Sequence, residues 1–121
     1  MTHPLGDLGD DVMREELHRV AEWIADYRAT IEARAIVPAV EPGDIRAALP
    51  AHVPATGEPM ERVLAELDTV IMPGIVHWGH PAFLGYFGST SNGPALLGEM
   101  IAAALNVNAM TWRTTPAATE L

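Results

Sequence analysis

Two histidines and one acid are the first candidates for chemistry in the aromatic last third of this sequence. His77 and His80 are three residues apart and could share a metal ion, but no third ligand follows at a suitable spacing. Zinc sites need three or four protein ligands. We therefore expect both imidazoles to hydrogen-bond to the backbone of a turn. Glu99 lies in an apolar helical stretch and is expected at its surface, so we predict no catalytic residue and no metal site in this chain.

The segment 85–91 has the composition of a loop that lines a pocket. Tyr86 and Phe87 stand between Gly85 and Gly88, and three hydroxyl residues follow: Ser89, Thr90 and Ser91. Glycines allow close approach of a ligand to the backbone, and pockets combine aromatic walls with a few polar groups. A hydrogen-bonded structural turn explains the same residues equally well. The spacing matches neither a P-loop nor a dinucleotide fingerprint.

Charge and composition exclude several functions. Seven arginines, no lysine and 16 acidic residues give a net charge of −9, which disfavours a nucleic-acid partner. Without lysine the chain cannot supply an amine nucleophile or a lysine base. Without cysteine it has no disulfide and no thiolate ligand. No signal-peptide pattern and no apolar run of roughly 20 residues is present, so we expect a cytoplasmic protein without a membrane partner.

The first predicted helix runs from about Asp10 to about Arg34. Acidic residues at its start and Arg28 near its end suit the helix dipole. An amphipathic helix must cover its apolar stripe, and two partners are open here, its own chain or a second copy. The stripe recurs at intervals of four and three residues: Met13, Leu17, Val20, Ile24, Tyr27 and Ile31.

Two proline-containing elbows, at 37–43 and 52–58, separate this helix from two further ones. Asp44 is placed to cap a short helix over 45–49, which Pro50 ends. Pro59 begins a third helix that ends at Pro73 and Gly74. Its predicted apolar face comprises Met60, Val63, Leu64, Leu67, Val70 and Ile71.

The character of the sequence changes at Ile75. Aromatic and small residues alternate over 75–88, which predicts a packed loop, and from residue type alone we expect Trp78 and Trp112 in the core. Pro94 indicates a helix that runs to about Leu105, followed by an extended or looping return over 106–114. Thr115 and Pro116 suit the cap and first residue of another helix. The chain stops there, so we expect it to be a piece of something larger.

Several blocks together resemble a known family, the group II pyridoxal-phosphate-dependent amino-acid decarboxylases of the aromatic-L-amino-acid decarboxylase type. The blocks are IMPG at 71–74, HW at 77–78, PAFLGYF at 81–87, the elbow VP…EPG at 37–43, and W at 112 with TPAATEL at 115–121. They cover about residues 12–121 in the family's order and spacing. The resemblance implies that the chain is the N-terminal part of such an enzyme.

The resemblance also implies an architecture. The chain itself is expected to be mainly α-helical, within a parent enzyme of the α/β, fold type I class that works as a homodimer. Residues 1–74 would form a helical dimerisation arm that wraps the other subunit. Residues 75–121 would be the pocket loop and first helix of the large domain. The partners implied are the remainder of the enzyme, a second subunit and an amino-acid substrate.

The same resemblance implies which residues form the walls of the substrate pocket. Gly88 stands where the family usually has proline, and Asn108 and Met110 replace an apolar and an aromatic residue, which puts an aromatic substrate in question. The implied substrate-binding residues are Trp78, Tyr86, Phe87, Gly88 and Ser89, with Asn108 and Met110 reaching the neighbouring subunit's site.

The cofactor of this family is pyridoxal 5'-phosphate (PLP), which its members hold through a lysine, a histidine and an aspartate that come after Leu121. The 121-residue chain alone is therefore expected to be inactive. It is expected to be part of a carboxy-lyase that releases CO2 from an L-amino acid. One alternative is a non-catalytic helical interaction module derived from such an enzyme. Another keeps the family and the cofactor but replaces decarboxylation by oxidative deamination.

Overall fold

The computed structural model describes residues 7–88 and 91–120, and the regular elements in these two ranges are all helices. This confirms the expected mainly α-helical chain. The chain divides into two compact units, Met1–Gly85 and Tyr86–Leu121. No helix in the described ranges combines the length and the apolar character that crossing a bilayer requires.

Helix α1, Asp10–Thr30, opens the first unit and continues as a single 3₁₀ turn over Ile31–Ala33. The predicted helix to about Arg34 is confirmed, with a tightened final turn. Its apolar stripe is divided between two environments. Met13 and Leu17 are 44% and 46% exposed, whereas the four later stripe residues are half-buried against the rest of the unit: Val20, Ile24, Tyr27 and Ile31.

Helix α2, Asp44–Ala48, is the short predicted helix, but Asp44 does not cap it. The cap position belongs to Gly43, whose φ of +107° is a left-handed conformation that favours glycine. Asp44 is the first helical residue, and its carboxylate accepts the Glu41 N–H at 2.8 Å. The side chain therefore closes the elbow before the helix and leaves the helix N–H groups to others.

Helix α3, Met60–Glu66, follows Pro59 as predicted and then changes geometry. Residues Leu67–Ile71 form a π-helical turn, and Met72–Gly74 a 3₁₀ turn. The sequence analysis did not anticipate the π turn. It packs against α2, and a Cβ placed on Gly74 would lie 2.9 Å from the Ile45 side chain. Gly74 therefore allows the end of this helix to approach α2 closely.

The second unit contains α4, Gly93–Leu105, and α5, Pro116–Glu120. The Asn92 side chain caps α4 by accepting the Ala95 N–H at 2.8 Å. Asn106 ends it in the left-handed conformation, φ +45°, and its N–H donates to the Ala102 carbonyl at 3.0 Å. Both predicted helix ends are confirmed, and the residues between the two helices form a loop that includes one turn at 112–114.

Buried side chains are few in the described ranges, where Met72 and His77 are the only two. The expectation that Trp78 and Trp112 are core residues is wrong, because they are 54% and 60% exposed. Two separate compact proteins of the sizes of these two units would together expose about 7,500 Å². The chain exposes 10225 Å², so its own fold leaves much surface uncovered, including apolar side chains such as Val53 and Leu84, which are 92% and 94% exposed.

Candidate functional site

His77 is the most buried polar residue that the structure describes, with 4% of its surface exposed. It lies near the start of the predicted packed loop at 75–88. Its Nδ1 atom hydrogen-bonds to the Tyr27 hydroxyl of α1 at 3.0 Å. Burial lowers the pKa of His77, and the neighbouring Arg34 and His80 charges lower it further. The prediction that the His77 side chain bonds to backbone is wrong. Its partner is Tyr27, because the hydroxyl of a half-buried tyrosine also needs a hydrogen-bond partner.

His80 does bond to backbone, as predicted. Its Nδ1 atom accepts the Ala82 N–H at 3.0 Å, and its Nε2 atom lies 3.3 Å from the Glu32 carbonyl oxygen. These two contacts fit the tautomer with the proton on Nε2. No group of three or more potential metal-binding side chains occurs within residues 7–88 and 91–120.

Trp78 directly follows the buried histidine and is the first implied wall residue. Its ring stacks on Phe83 with centroids 5.4 Å apart and planes inclined by 22°. Phe83 is held in turn because its N–H donates to the His80 carbonyl at 2.9 Å. The 77–83 segment therefore presents an ordered aromatic pair whose Trp78 member is half exposed, which suits a wall for a flat ligand.

Tyr86, Phe87 and Gly88 lie in the second unit and are all exposed. Tyr86 is 84% exposed and adopts φ +55°, a left-handed conformation uncommon for a bulky residue. Such outliers concentrate at functional sites. The Phe87 side chain is fully exposed. Ser89, the fifth implied wall residue in this part of the chain, lies outside the described residues.

Asn108 and Met110 share one turn in the second unit. The Asn108 side-chain oxygen accepts the Met110 N–H at 2.8 Å. The Asn108 carbonyl accepts the hydroxyls of Thr114 and Thr115 at 3.0 and 2.8 Å. This turn holds the Met110 side chain 81% exposed. The structure thus brings these two implied site residues together, and Asn108 shapes the backbone that carries Met110.

The sequence analysis did not anticipate two contacts of Trp23 that organise the first unit. The indole N–H of Trp23 on α1 donates to the Asp68 carboxylate at 3.0 Å. Its ring also stacks on Tyr27, with centroids 5.7 Å apart and planes inclined by 2°. A polar tip on each aromatic side chain was the available signal, because such tips are normally paired when partly buried.

Known proteins resemble the chain along almost all of its length. It is 39% identical to the histidine decarboxylase of Drosophila melanogaster over 108 residues, covering 89% of this chain and 13% of that protein. It is also 39% identical to the aromatic-L-amino-acid decarboxylase of Rattus norvegicus over 102 residues, covering 84% of the chain and 21% of the relative. The chain therefore spans less than a quarter of the length of these two relatives.

Solved structures agree with the sequence relatives. The structure of Oryza sativa TDC with PLP and tryptamine matches with a TM-score of 0.88 and 33% identity, over 97% of this chain and 24% of that one. Rhodiola rosea 4-hydroxyphenylacetaldehyde synthase matches with a TM-score of 0.88 and 37% identity, over 93% and 24% of the two chains. The shared fold therefore extends through nearly all of this chain.

Residues of this chain do not by themselves fit PLP. The sequence contains no lysine, so it offers no amine for covalent attachment of the cofactor. The implied site residues that the structure describes are exposed aromatic, amide, glycine and thioether groups, which suit the wall of a site better than an anchor for a phosphate. We therefore assign no chemical step on the cofactor to these residues.

The family follows from a direct match. A family model described as the pyridoxal-dependent decarboxylase conserved domain matches residues 42–121. The matched range contains Trp78, the loop at Tyr86 and the turn at Asn108, and the similarity to individual relatives extends to α1. The chain belongs to the pyridoxal-dependent decarboxylase family.

Proposed function

We propose that this chain is the N-terminal segment of a PLP-dependent amino-acid decarboxylase and supplies dimer contacts and substrate-pocket walls. The observation that carries the proposal is its likeness to family members over most of its own length and a small part of theirs, 39% identity over 84% of the chain and 21% of the rat enzyme. PLP, when bound by the complete enzyme, supplies the electron sink for loss of the substrate carboxylate as CO2.

The first contribution proposed is to a homodimer. Met13 and Leu17, four residues apart on α1, form an exposed apolar patch on one helix face, and Leu8 and Val12 near the start of the helix are 39% and 36% exposed. Apolar side chains clustered on one helix face mark an interaction surface. We propose that residues 1–74 form an arm that covers this patch against a second subunit, and that 75–121 begin the large domain.

The second contribution proposed is to the substrate pocket. The ring of Trp78 stacked on Phe83 offers one flat apolar surface, and the strained Tyr86 begins another. We propose that Trp78, Tyr86, Phe87, Gly88 and Ser89 line the pocket, and that Asn108 and Met110 reach the neighbouring subunit's site. Aromatic faces and a thioether suit the side chain of an aromatic or similar L-amino acid.

Two other outcomes are distinguishable. The synthase from Rhodiola rosea carries an aldehyde in its name. A complete enzyme that forms such an aldehyde would release CO2 from the amino acid and also ammonia by oxidative deamination, with molecular oxygen as the oxidant. A non-catalytic dimerisation module is the remaining alternative, which the absence of lysine favours for the chain by itself. We place the complete protein in amino-acid metabolism in the cytoplasm.

Intact mass and product analysis of the purified protein test the proposal. We expect a polypeptide several times longer than 121 residues, with visible absorbance from lysine-bound PLP that borohydride removes. It should release one CO2 and one amine per amino acid consumed. Ammonia and aldehyde in place of the amine would indicate the deaminating reaction. A species of this chain's mass with no bound PLP and no turnover would leave only the dimerisation module.

A further inference from the structure

Three hydrogen bonds hold the backbone and side chain of His77 from different directions. The Tyr27 hydroxyl of α1 binds its Nδ1 atom at 3.0 Å. Its own N–H donates to the Ile36 carbonyl at 3.3 Å, and its carbonyl accepts the His80 N–H at 2.9 Å. The residue immediately before Trp78 is therefore tied to α1, to the segment after α1 and to its own turn.

Tyr27 is itself held in place. Its ring stacks on Trp23 on one side, and the Arg34 guanidinium lies over the ring at 5.2 Å from the centroid. Trp23 is anchored to the Asp68 carboxylate at 3.0 Å. Both ends of the Tyr27 side chain are therefore restrained, so its hydroxyl presents a fixed partner to His77.

Trp78 is 54% exposed and directly follows His77 in the chain. Packing against Phe83 covers part of its ring, and the backbone that carries the side chain sets the direction of its Cα–Cβ bond. That backbone is continuous with the buried His77, and the Trp78 N–H donates to the Val76 carbonyl at 3.0 Å. A wall residue held in this way is organised before the substrate arrives.

We propose that Tyr27 and His77 are positioning residues for substrate binding, and that their hydrogen bond sets the orientation of Trp78. The proposal rests on the pocket role of Trp78 under the proposed function. It differs from that role because Tyr27 lies on the arm helix and acts through His77. It extends the contribution of α1 from subunit contact to the shape of the substrate wall.

Kinetics of the complete PLP-loaded enzyme carrying Tyr27→Phe test the proposal. The variant keeps both ring contacts and loses only the hydroxyl. One neutral hydrogen bond shifts an equilibrium by roughly two- to tenfold. We therefore expect KM for an aromatic L-amino acid to rise about fivefold by loss of preorganised enzyme, with kcat within about twofold of the original. His77→Asn retains an amide near the Nδ1 position, so KM should rise less in this variant than in His77→Leu.

Thr69→Val is the matched control. It also removes one side-chain hydrogen bond within the first unit, the 2.7 Å bond from the Thr69 hydroxyl to the Ala65 carbonyl, but this bond involves neither Tyr27, its supporting residues nor His77. We expect it to lower thermal stability about as much as Tyr27→Phe while leaving KM unchanged. An equal rise in KM in both variants would show that Tyr27 is merely structural and would overturn the proposal.

Double substitution provides the second test. If Tyr27 acts through Trp78, Tyr27→Phe should change KM by less than about twofold once Trp78 is replaced by alanine. Full additivity of the two substitutions would overturn the positioning role and leave the decarboxylase function standing. Absence of turnover of any amino acid by the unmodified enzyme would overturn the proposed function and this inference together.

Discussion

The Tyr27 hydroxyl and the Nδ1 atom of His77 lie 3.0 Å apart although 50 residues separate them in the sequence. This bond joins Tyr27, in the last turn of α1, to His77, and the residue that follows His77 in the chain, Trp78, is a proposed pocket wall. Since His77 is 4% exposed, a proton on its ring would create a charge that water cannot hydrate. Protonation of His77 therefore opposes the packing of the first unit.

The first prediction concerns pH. The folded-state pKa of His77 lies below its ordinary value of 6.5, because burial, Arg34 and His80 disfavour the charged form. The unfolded state therefore binds a proton at His77 more readily than the folded state does. The free energy of unfolding is highest above pH 6.5 and decreases as the pH falls towards the folded-state pKa of His77. We expect the thermal midpoint of the complete protein to decrease as the pH is lowered from about 8 to about 5. We expect this decrease to be smaller in His77→Asn.

His52→Asn is the control for this experiment. His52 lies in the exposed segment before α3, so its replacement removes a histidine and leaves the contact between Tyr27 and His77 intact. The control should retain the pH dependence of the original protein. An unchanged pH dependence in the His77 variant would show that another group is responsible.

The second prediction concerns the exposed half of the α1 stripe. Leu17→Asp should weaken the proposed dimer at least about a hundredfold, because a carboxylate buried in an interface without a partner costs several kcal/mol. Sedimentation of the complete enzyme over a dilution series measures the effect. His18→Asp adds a carboxylate at the next exposed position, outside the stripe, and should change little. A Leu17 variant that remains dimeric at nanomolar concentration would refute the docking of this face.

The third prediction concerns the turn before α2. Gly43→Ala should destabilise the fold by about 1–2 kcal/mol, because a side chain at φ +107° is strained even though the space around it is open. Gly57→Ala also meets nothing within 4 Å and has no such φ, so we expect a change near zero or a slight gain. Denaturant titration of matched preparations compares the two. Equal stability of the two variants would mean that the turn relaxes without cost.

The fourth prediction concerns Tyr86. Tyr86→Ala in the complete enzyme should lower kcat/KM for an aromatic substrate about tenfold through loss of ring contact, while the PLP content stays the same. Tyr86→Phe keeps the ring and should retain most of the activity. Parallel loss of substrate turnover and of bound PLP in the alanine variant would argue for a general structural role.

Helices α1 and α4 were predictable because each carries a local signal. The stripe from Met13 to Ile31 repeats at helical spacing, and Asn92 with Pro94 marks a helix start. The Asp44 cap was mistaken because the preceding Gly43 takes the left-handed conformation, which moves the cap back by one residue. Local patterns thus predicted the extents of α1 and α4, whereas the start of α2 depended on the backbone conformation of the residue before it.

The site was less predictable from residue chemistry alone. Trp78 and Trp112 were expected in the core because large aromatic residues usually cover themselves, and this chain leaves them over half exposed. The candidate walls came from the family resemblance, since neither aromatic residues nor glycines identify a substrate by themselves. The contact between Tyr27 and His77 could not be predicted, because it depends on how α1 folds back over residues far along the sequence.

The π turn at Leu67–Ile71 has a consequence for insertions and deletions. A π turn accommodates one residue more than the α-helical spacing, and each residue of an α-helix advances by about 100°. Deleting one residue here should restore α-helical geometry and rotate Asp68 away from Trp23, which now donates to it. Shortening the turn by one residue should therefore cost the protein the contact between Asp68 and Trp23 while leaving Met60–Glu66 α-helical.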